Sequence, residues 1–143
     1  MYQLSDIKAL HLEITEKCQA GCPLCARYLH GKINPMLINA ELTLGQCEQF
    51  FPESFVRQLD RMYMCGNYGD PIIAKDTLEV FEYFRFNNVK MHLDMHTNGG
   101  ARNADWWREL ATVFHNEHSV VTFSIDGLED TNHIYRQNVR WDN

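Results

Sequence analysis

The sequence predicts an α/β fold built on a parallel sheet. Four short runs of alternating apolar and polar residues, each typical of a strand, are separated by stretches with the apolar spacing of helices. Strands that alternate with helices in this way form right-handed βαβ units, in which the strands pair in parallel. With 143 residues, 45% of them hydrophobic, the chain can bury one real core, so residues 1–143 are expected to form one domain.

The first strand is predicted over residues 7–15, where leucine and isoleucine alternate with polar residues. An irregular stretch is expected over residues 28–42, which contain helix breakers. A helix is predicted next, because Thr43 and Gln46 have the spacing of a capping box. Pro52, which lacks a backbone N–H, marks the end of this helix.

The second strand is predicted over residues 61–65 and leads into the turn GNYGDP. Two glycines and one proline in six residues indicate backbone conformations that few other residues tolerate. A helix is predicted to begin at Asp76, a residue type that is favoured at the N-cap, and to end at Asn87-Asn88.

The third and fourth strands are predicted over residues 89–96 and 120–126, with a helix capped by Asn103 between them. Each of these strands has one apolar side and one polar side. Since strands of parallel sheets are usually apolar on both sides, the polar sides indicate a lined cavity. The alternative is an antiparallel sheet with one solvent-exposed face. Such a sheet predicts hairpin turns between the strands, where this sequence instead has helical patterns.

Each predicted strand ends in a segment rich in cysteine, glycine, aspartate or asparagine. The four segments read CQAGCPLC, GNYGDP, TNGG and SIDG. In α/β folds, ligands bind at the carboxyl ends of the strands. The sequence therefore predicts a ligand site at this edge of the sheet.

Three cysteines, Cys18, Cys22 and Cys25, form a C-x3-C-x2-C array in the loop after the first strand. Thiolates are the ligands of iron–sulfur clusters, and three of them would leave one iron of a four-iron cluster open to a small molecule. The same spacing also fits one face of a helix, where the cysteines would be packing residues. Gly21 and Pro23 disfavour a helix here.

A structural zinc is a second alternative for these cysteines. Zinc would need a fourth ligand, for which Cys47, Cys65 or His30 could be recruited. The spacing favours an iron–sulfur cluster over zinc and over plain packing. Outside a metal site, Cys47 and Cys65 are expected to be structural.

Composition limits the function classes. The net charge of −6 offers no basic face for a phosphate backbone, so nucleic acid is not indicated. No apolar run reaches the length of a membrane span and no signal-peptide pattern begins the chain, so no membrane association is expected. Three of the five cysteines lie within eight positions, which suits a metal in a reducing compartment, and the cytoplasm is the expected location.

Together, the four segments resemble motifs of the radical SAM superfamily, over residues 10–136. The cysteine array is the hallmark of that family, and YGDP is similar to its Gly-Gly-Glu-Pro motif. TNGG and SIDGLEDTNHIYR resemble segments of members that carry a SPASM or Twitch extension. The resemblance implies a partial (β/α) TIM-like barrel, of which this chain holds the first four strands of an expected six. The chain is therefore expected to be a fragment, or half of a split enzyme.

The resemblance implies an oxygen-sensitive enzyme, an oxidoreductase or a transferase. In the family, a [4Fe-4S] cluster on three cysteines chelates S-adenosylmethionine (SAM) and cleaves it reductively to a 5′-deoxyadenosyl radical. This radical would abstract hydrogen from an unknown substrate, a peptide, a protein or a small molecule. An electron donor such as flavodoxin or ferredoxin is also implied. The competing hypothesis is a non-catalytic module whose cysteines hold zinc or an electron-transfer cluster.

The resemblance also assigns the methionine end of SAM. The turn Tyr68-Gly69-Asp70 would receive the amino group through backbone carbonyls and the Asp70 carboxylate. Arg136 matches the arginine that pairs with the SAM carboxylate, for which a guanidinium fork is suited. Asp70 stands where the family more often has Glu, so its reach is shorter by one methylene.

The ribose and adenine are assigned to residues at other strand ends. Ser124 and Asp126 would face the ribose hydroxyls or nearby groups, and Asn98 could reach the same sugar. Leu24 holds a position that is frequently aromatic in the family, so it would pack near adenine without stacking.

Two histidines, His92 and His96, lie beside Asp94 on the polar side of the third strand. They could form a second metal site, or contact the substrate or SAM. The i, i+2, i+4 spacing of a strand that lines a cavity gives the same pattern, and cavity lining is the favoured interpretation.

Overall fold

The computed structural model describes residues 2–142. Within this range no helix combines the length and the apolar character needed to cross a membrane. Two 3-10 turns, Leu4–Asp6 and Pro71–Ile73, accompany the regular elements. In chain order, these elements are β1 (Ala9–Leu12), β2 (Tyr28–Leu29), β3 (Lys32–Ile33), α1 (Leu44–Phe50), α2 (Glu53–Val56), β4 (Arg61–Met64), α3 (Thr77–Asn87), β5 (His92–Thr97), α4 (Ala104–Val113), β6 (Val120–Phe123) and α5 (Asn132–Tyr135).

Four strands form a parallel sheet in the order β1-β4-β5-β6. The register pairs Leu12 with Met64, Met64 with Met95, and Met95 with Val121. All three pairings are parallel and each connection contains a helix, so the antiparallel alternative is wrong and the predicted α/β fold is confirmed. The register brings the carboxyl ends of all four strands to one edge of the sheet.

One face of the sheet carries the hydrophobic core. Met62, Met64, Leu93 and Met95 are completely buried there and belong to one apolar cluster with residues of α1, α3 and α4. Burying such side chains is the main source of stability of a domain of this size. The apolar alternation in the sequence therefore specifies which face the helices cover.

The opposite face of the sheet is polar. His11 stacks on Tyr63 with ring centroids 4.6 Å apart, and its Nε2 lies 2.6 Å from the Cys65 carbonyl oxygen. Asp94 is buried and forms an ion pair with Arg61. This face leads directly to the strand ends, where the predicted site residues follow.

Several boundaries differ from the prediction. The fourth strand, β6, ends at Phe123 instead of continuing to residue 126, because Asp126 N instead donates to the Asn132 side chain, at 2.9 Å. A short antiparallel hairpin, β2–β3, occupies part of the stretch that was expected to be irregular. The Asp76 side chain does not cap α3 but accepts a hydrogen bond from Leu44 N at 2.9 Å.

The capping box of α1 is present as predicted. Gln46 N donates to Thr43 Oγ1 at 3.3 Å, and Thr43 N donates to Gln46 Oε1 at 2.9 Å. Thr43→Ala should lower the free energy of unfolding by about 1 kcal/mol, measured by urea denaturation, because one helix N–H loses its acceptor. Thr112→Ala, at an exposed position on α4, is the matched control and should change it by less than about 0.5 kcal/mol. Equal stability of the Thr43→Ala and parent chains would contradict this prediction.

Candidate cofactor site

A cavity of about 270 Å³ lies at the carboxyl ends of the strands. Its walls come from the cysteine loop, from the turn after β4, from the end of β5, from the segment after β6, and from α5 and the residue that follows it. All of the predicted cofactor-site residues except Asp126 line it: Cys18, Cys22, Cys25, Tyr68, Gly69, Asp70, Asn98, Ser124 and Arg136. The topology thus brings together motifs that are far apart in the sequence.

The cysteine loop has an irregular backbone. Residues 16–27 contain no helix, so the three cysteines do not share a helix face, although all three belong to one small apolar cluster with Ala20 and Val139. Ala20 N donates to Cys18 Sγ at 3.4 Å, and Arg27 N donates to Cys25 Sγ at 3.5 Å. Two of the three sulfurs therefore accept a hydrogen bond from a backbone N–H. Such hydrogen bonds are common at thiolate ligands.

Residues 135–139, here called the closing segment, cover the cysteine loop. Gly21 N donates to the Gln137 carbonyl at 2.8 Å. Cys22 packs with Val139 in a small apolar cluster, and Arg136 Nη1 lies 3.7 Å from Cys22 Sγ. Contacts from the C-terminal end of the described chain therefore hold the cysteine loop in place.

Burial affects the protonation of the cysteine loop. It raises the pKa of the Cys18 thiol to about 11. Without iron, this group is therefore a neutral thiol at pH 7, and binding of a metal would displace its proton.

The turn after β4 is packed against the backbone that follows β1. A Cβ on Gly69 would lie 1.8 Å from the Thr15 carbonyl oxygen, so only glycine fits. Asp70 N donates to the Lys17 carbonyl at 2.9 Å. This close approach sets the YGDP turn beside the cysteine loop.

The Asp70 carboxylate is surrounded by hydrogen-bond donors of the protein itself. Its Oδ1 accepts from Thr97 Oγ1 at 2.7 Å and from Ile72 N at 3.2 Å. Its Oδ2 accepts from Asn98 N at 2.7 Å and from Asn98 Nδ2 at 2.5 Å. Burial raises the pKa of this carboxyl above its ordinary value. With four protein donors, the carboxylate ties the turn after β4 to the end of β5.

Asp126 lies outside the cavity lining, whereas Arg136 is part of it. The two side chains form an ion pair, so Asp126 orients the guanidinium. Ser124 lines the cavity, and its backbone N–H donates to the Thr97 carbonyl at 2.8 Å.

The histidines of β5 do not share a site. His96 lines the cavity, while His92 stacks on His118 with centroids 4.6 Å apart. Since Asp94 is paired with Arg61, these side chains do not converge on a second metal. Cys65 lines the same cavity as His96, and Cys47 is completely buried in the core.

Arg27 is a cavity residue that the sequence analysis missed. Its guanidinium is buried, and Nη1 donates to the Tyr68 carbonyl at 2.9 Å and to the Glu16 carbonyl. Its Nε has no hydrogen-bond partner among the described residues. The sequence shows only an arginine two positions after the third cysteine. Its contacts cannot be predicted until the fold is known.

Zinc and an iron–sulfur cluster need different arrangements of the three cysteine thiols. Within residues 2–142, no group of three or more His, Cys, Asp or Glu side chains is arranged to hold a metal ion. Zinc needs four converging ligands, which this arrangement does not supply. A cluster brings its own irons and sulfides, so its thiolates surround a volume and need not meet at one point. Three thiols line one cavity, with backbone donors beside two of them, and thiols are the donor type that a cluster would use.

Comparison with known proteins gives a result for the fold. No protein-family model matches the sequence. No curated protein matches it either. Among solved structures, the chain is similar to a crystal structure of BtrN, a radical SAM enzyme, in complex with AdoMet and 2-DOIA. The TM-score is 0.56 at 15% sequence identity, over 75% of this chain and 42% of the BtrN chain.

This similarity concerns architecture. At 15% identity it shows the fold alone, and the chain spans less than half the length of BtrN. The four-stranded parallel sheet with its helices accordingly has a partial radical SAM-like β/α fold.

Proposed function

We propose that the cavity is a radical SAM cofactor site. In this proposal Cys18, Cys22 and Cys25 hold a [4Fe-4S] cluster whose fourth iron receives SAM. The observation that carries the proposal is the meeting of three thiols from one loop with polar residues from three other strand ends around one cavity. The radical SAM-like fold and the AdoMet bound to BtrN support it.

The residues of the cavity have distinct roles in this proposal. Arg136, oriented by Asp126, pairs with the SAM carboxylate, and backbone carbonyls of the turn at Gly69 accept from the amino group. Asn98 and Ser124, which both line the cavity, would contact the ribose. The closing segment shields the cysteine loop from water.

The bound cluster would supply the electron that cleaves SAM to methionine and a 5′-deoxyadenosyl radical. The proposed enzyme therefore needs a one-electron donor, such as flavodoxin or ferredoxin. Its substrate would approach along the polar face of the sheet, where His96 already lines the cavity. We propose an organic substrate with an abstractable C–H bond, such as a peptide.

The test is anaerobic reconstitution with iron and sulfide, followed by electron paramagnetic resonance of the reduced protein. We expect a [4Fe-4S] signal that shifts when SAM is added, because SAM occupies the open iron. Incubation with dithionite and SAM should then yield 5′-deoxyadenosine, measured by liquid chromatography. The shift reports SAM binding independently of turnover.

A matched control is Arg136→Gln, which removes the charge at the carboxylate position. It should keep the cluster signal and lose the shift at SAM concentrations that saturate the parent chain. A cluster signal that is insensitive to SAM in the parent chain would contradict the proposal and favour an electron-transfer module. Failure to bind iron at all would contradict both.

A further inference from the structure

The guanidinium of Arg27 is a buried cation, and the described part of the chain places no opposite charge beside it. Its residue is only 6% exposed. Among residues 2–142, no carboxylate lies within ion-pair distance of it. Removing a charge from water is unfavourable by several kcal/mol unless an opposite charge or hydrogen bonds compensate, so buried charges are normally paired.

The protein compensates this charge only in part. Nη1 donates to the carbonyls of Glu16 and Tyr68, which are neutral acceptors. Nε is buried and donates to no atom of the described residues. A buried N–H donor without an acceptor is rare in proteins, and such a group indicates a missing partner.

The position of Arg27 identifies that partner. Arg27 lines the same cavity as Cys18, Cys22 and Cys25. Its two carbonyl contacts come from the cysteine loop and from the turn after β4, so both walls of the cavity hold the guanidinium in place. In the proposed site the anionic acceptors are the cysteine thiolates, the sulfides of the cluster and the SAM carboxylate, and the last of these is assigned to Arg136.

We propose that Arg27 is a positioning residue whose free Nε–H donates to a sulfur of the bound cluster and whose charge sets the reduction potential of that cluster. This inference rests on the proposed function. Reduction adds one negative charge to the cluster and its thiolates. A fixed positive charge and a hydrogen bond to sulfur both stabilise the reduced state and raise the potential.

The first experiment measures the midpoint potential of the reconstituted cluster without SAM, by a redox titration followed by electron paramagnetic resonance. Arg27→Gln removes the charge and should make the potential more negative by at least a tenfold change in the reduction equilibrium, about 59 mV for one electron. Lys17→Gln is the matched control. It removes a half-buried cation that precedes Cys18 in the sequence and is paired with Glu41, and should change the equilibrium less than about threefold.

The second experiment detects the hydrogen bond directly and uses the conservative variant Arg27→Lys, which keeps the charge. In protein labelled with 15N-arginine, pulsed electron paramagnetic resonance of the reduced cluster should show a nitrogen coupling that is absent in Arg27→Lys. Because Arg136 is also near a cysteine sulfur, a coupling that persists in Arg27→Lys would assign it to Arg136 and overturn the proposal.

These readouts separate the inference from the function on which it rests. Loss of the cluster from the parent chain would contradict the proposed function. An intact cluster with an unchanged potential in Arg27→Gln would overturn the role of Arg27 and leave the proposed function standing. If Arg27→Gln does not fold, the nitrogen coupling in the parent chain and in Arg27→Lys decides.

Discussion

Replacing Cys18, Cys22 or Cys25 with alanine should remove the iron. Reconstituted parent protein is expected to bind about four irons per chain, and each alanine variant less than about one, because a cluster held by two thiolates is not retained. Iron and sulfide assays after anaerobic desalting measure this, together with the visible absorbance of the cluster. The effect should be the same for all three positions, since each sulfur lines the same cavity.

Two other cysteines of the chain provide the controls. Cys47 is completely buried in the core, away from the cavity, and Cys47→Ala should keep the iron. Cys65 lines the cavity and is the stricter control. If Cys65→Ala also lost its iron, Cys65 would be a fourth ligand and the cluster would have no open iron for SAM.

Asp70→Asn should be strongly destabilising. Each carboxylate oxygen accepts two hydrogen bonds, so either placement of the asparagine amide sets an NH2 group against two donors. We expect the free energy of unfolding of the iron-free chain to fall by roughly 2–4 kcal/mol, measured by urea denaturation under anaerobic conditions. The matched control is Asp105→Asn, an exposed aspartate on α4, which should change it by less than about 0.5 kcal/mol.

The pH dependence of stability offers a second measurement on Asp70. Burial raises the pKa of the folded-state carboxyl above the ordinary value of 3.8, so the folded chain binds this proton more tightly than the unfolded chain does. The contribution of Asp70 to stability therefore falls as the pH rises from that ordinary value through the raised pKa. This component should be absent from Asp70→Asn, and a variant with the same pH profile as the parent chain would contradict the assignment.

The sheet and its helices could be predicted because their signals are local. The alternation around Met62 and Leu93 specified buried strands, and the capping box at Thr43 specified where α1 begins. The parallel arrangement followed from the helices between the strands. Because parallel strands end at a common edge, the location of the site followed as well.

What could not be predicted depends on contacts between distant segments. Asp76 has the sequence signal of a cap, but in the folded chain its carboxylate accepts from Leu44 N, 32 positions away. The guanidinium of Arg27 is held at the cavity by a hydrogen bond to the Tyr68 carbonyl, 41 positions away. The position of Asp126 outside the cavity lining could not be predicted, because β6 ends three residues before it and the alternation of the strand no longer directs its side chain.

The hairpin β2–β3 was missed for a different reason. Its strands have only two residues each, too few for an alternation to be recognised. The signal was in the turn, where His30 and Gly31 have φ angles of 52° and 75°. Two consecutive residues with positive φ are typical of a type I′ hairpin turn, and glycine at the second position favours it.

The closing segment also determines the order in which the site can be assembled. Arg136 reaches Cys22 across 114 positions of sequence, and Gln137 binds the neighbouring Gly21. During translation, the three cysteines leave the ribosome well before residues 135–139 are synthesised. If the chain holds a cluster as proposed, insertion would therefore be easier while the thiols are uncovered on the growing chain than after residues 135–139 have docked over them.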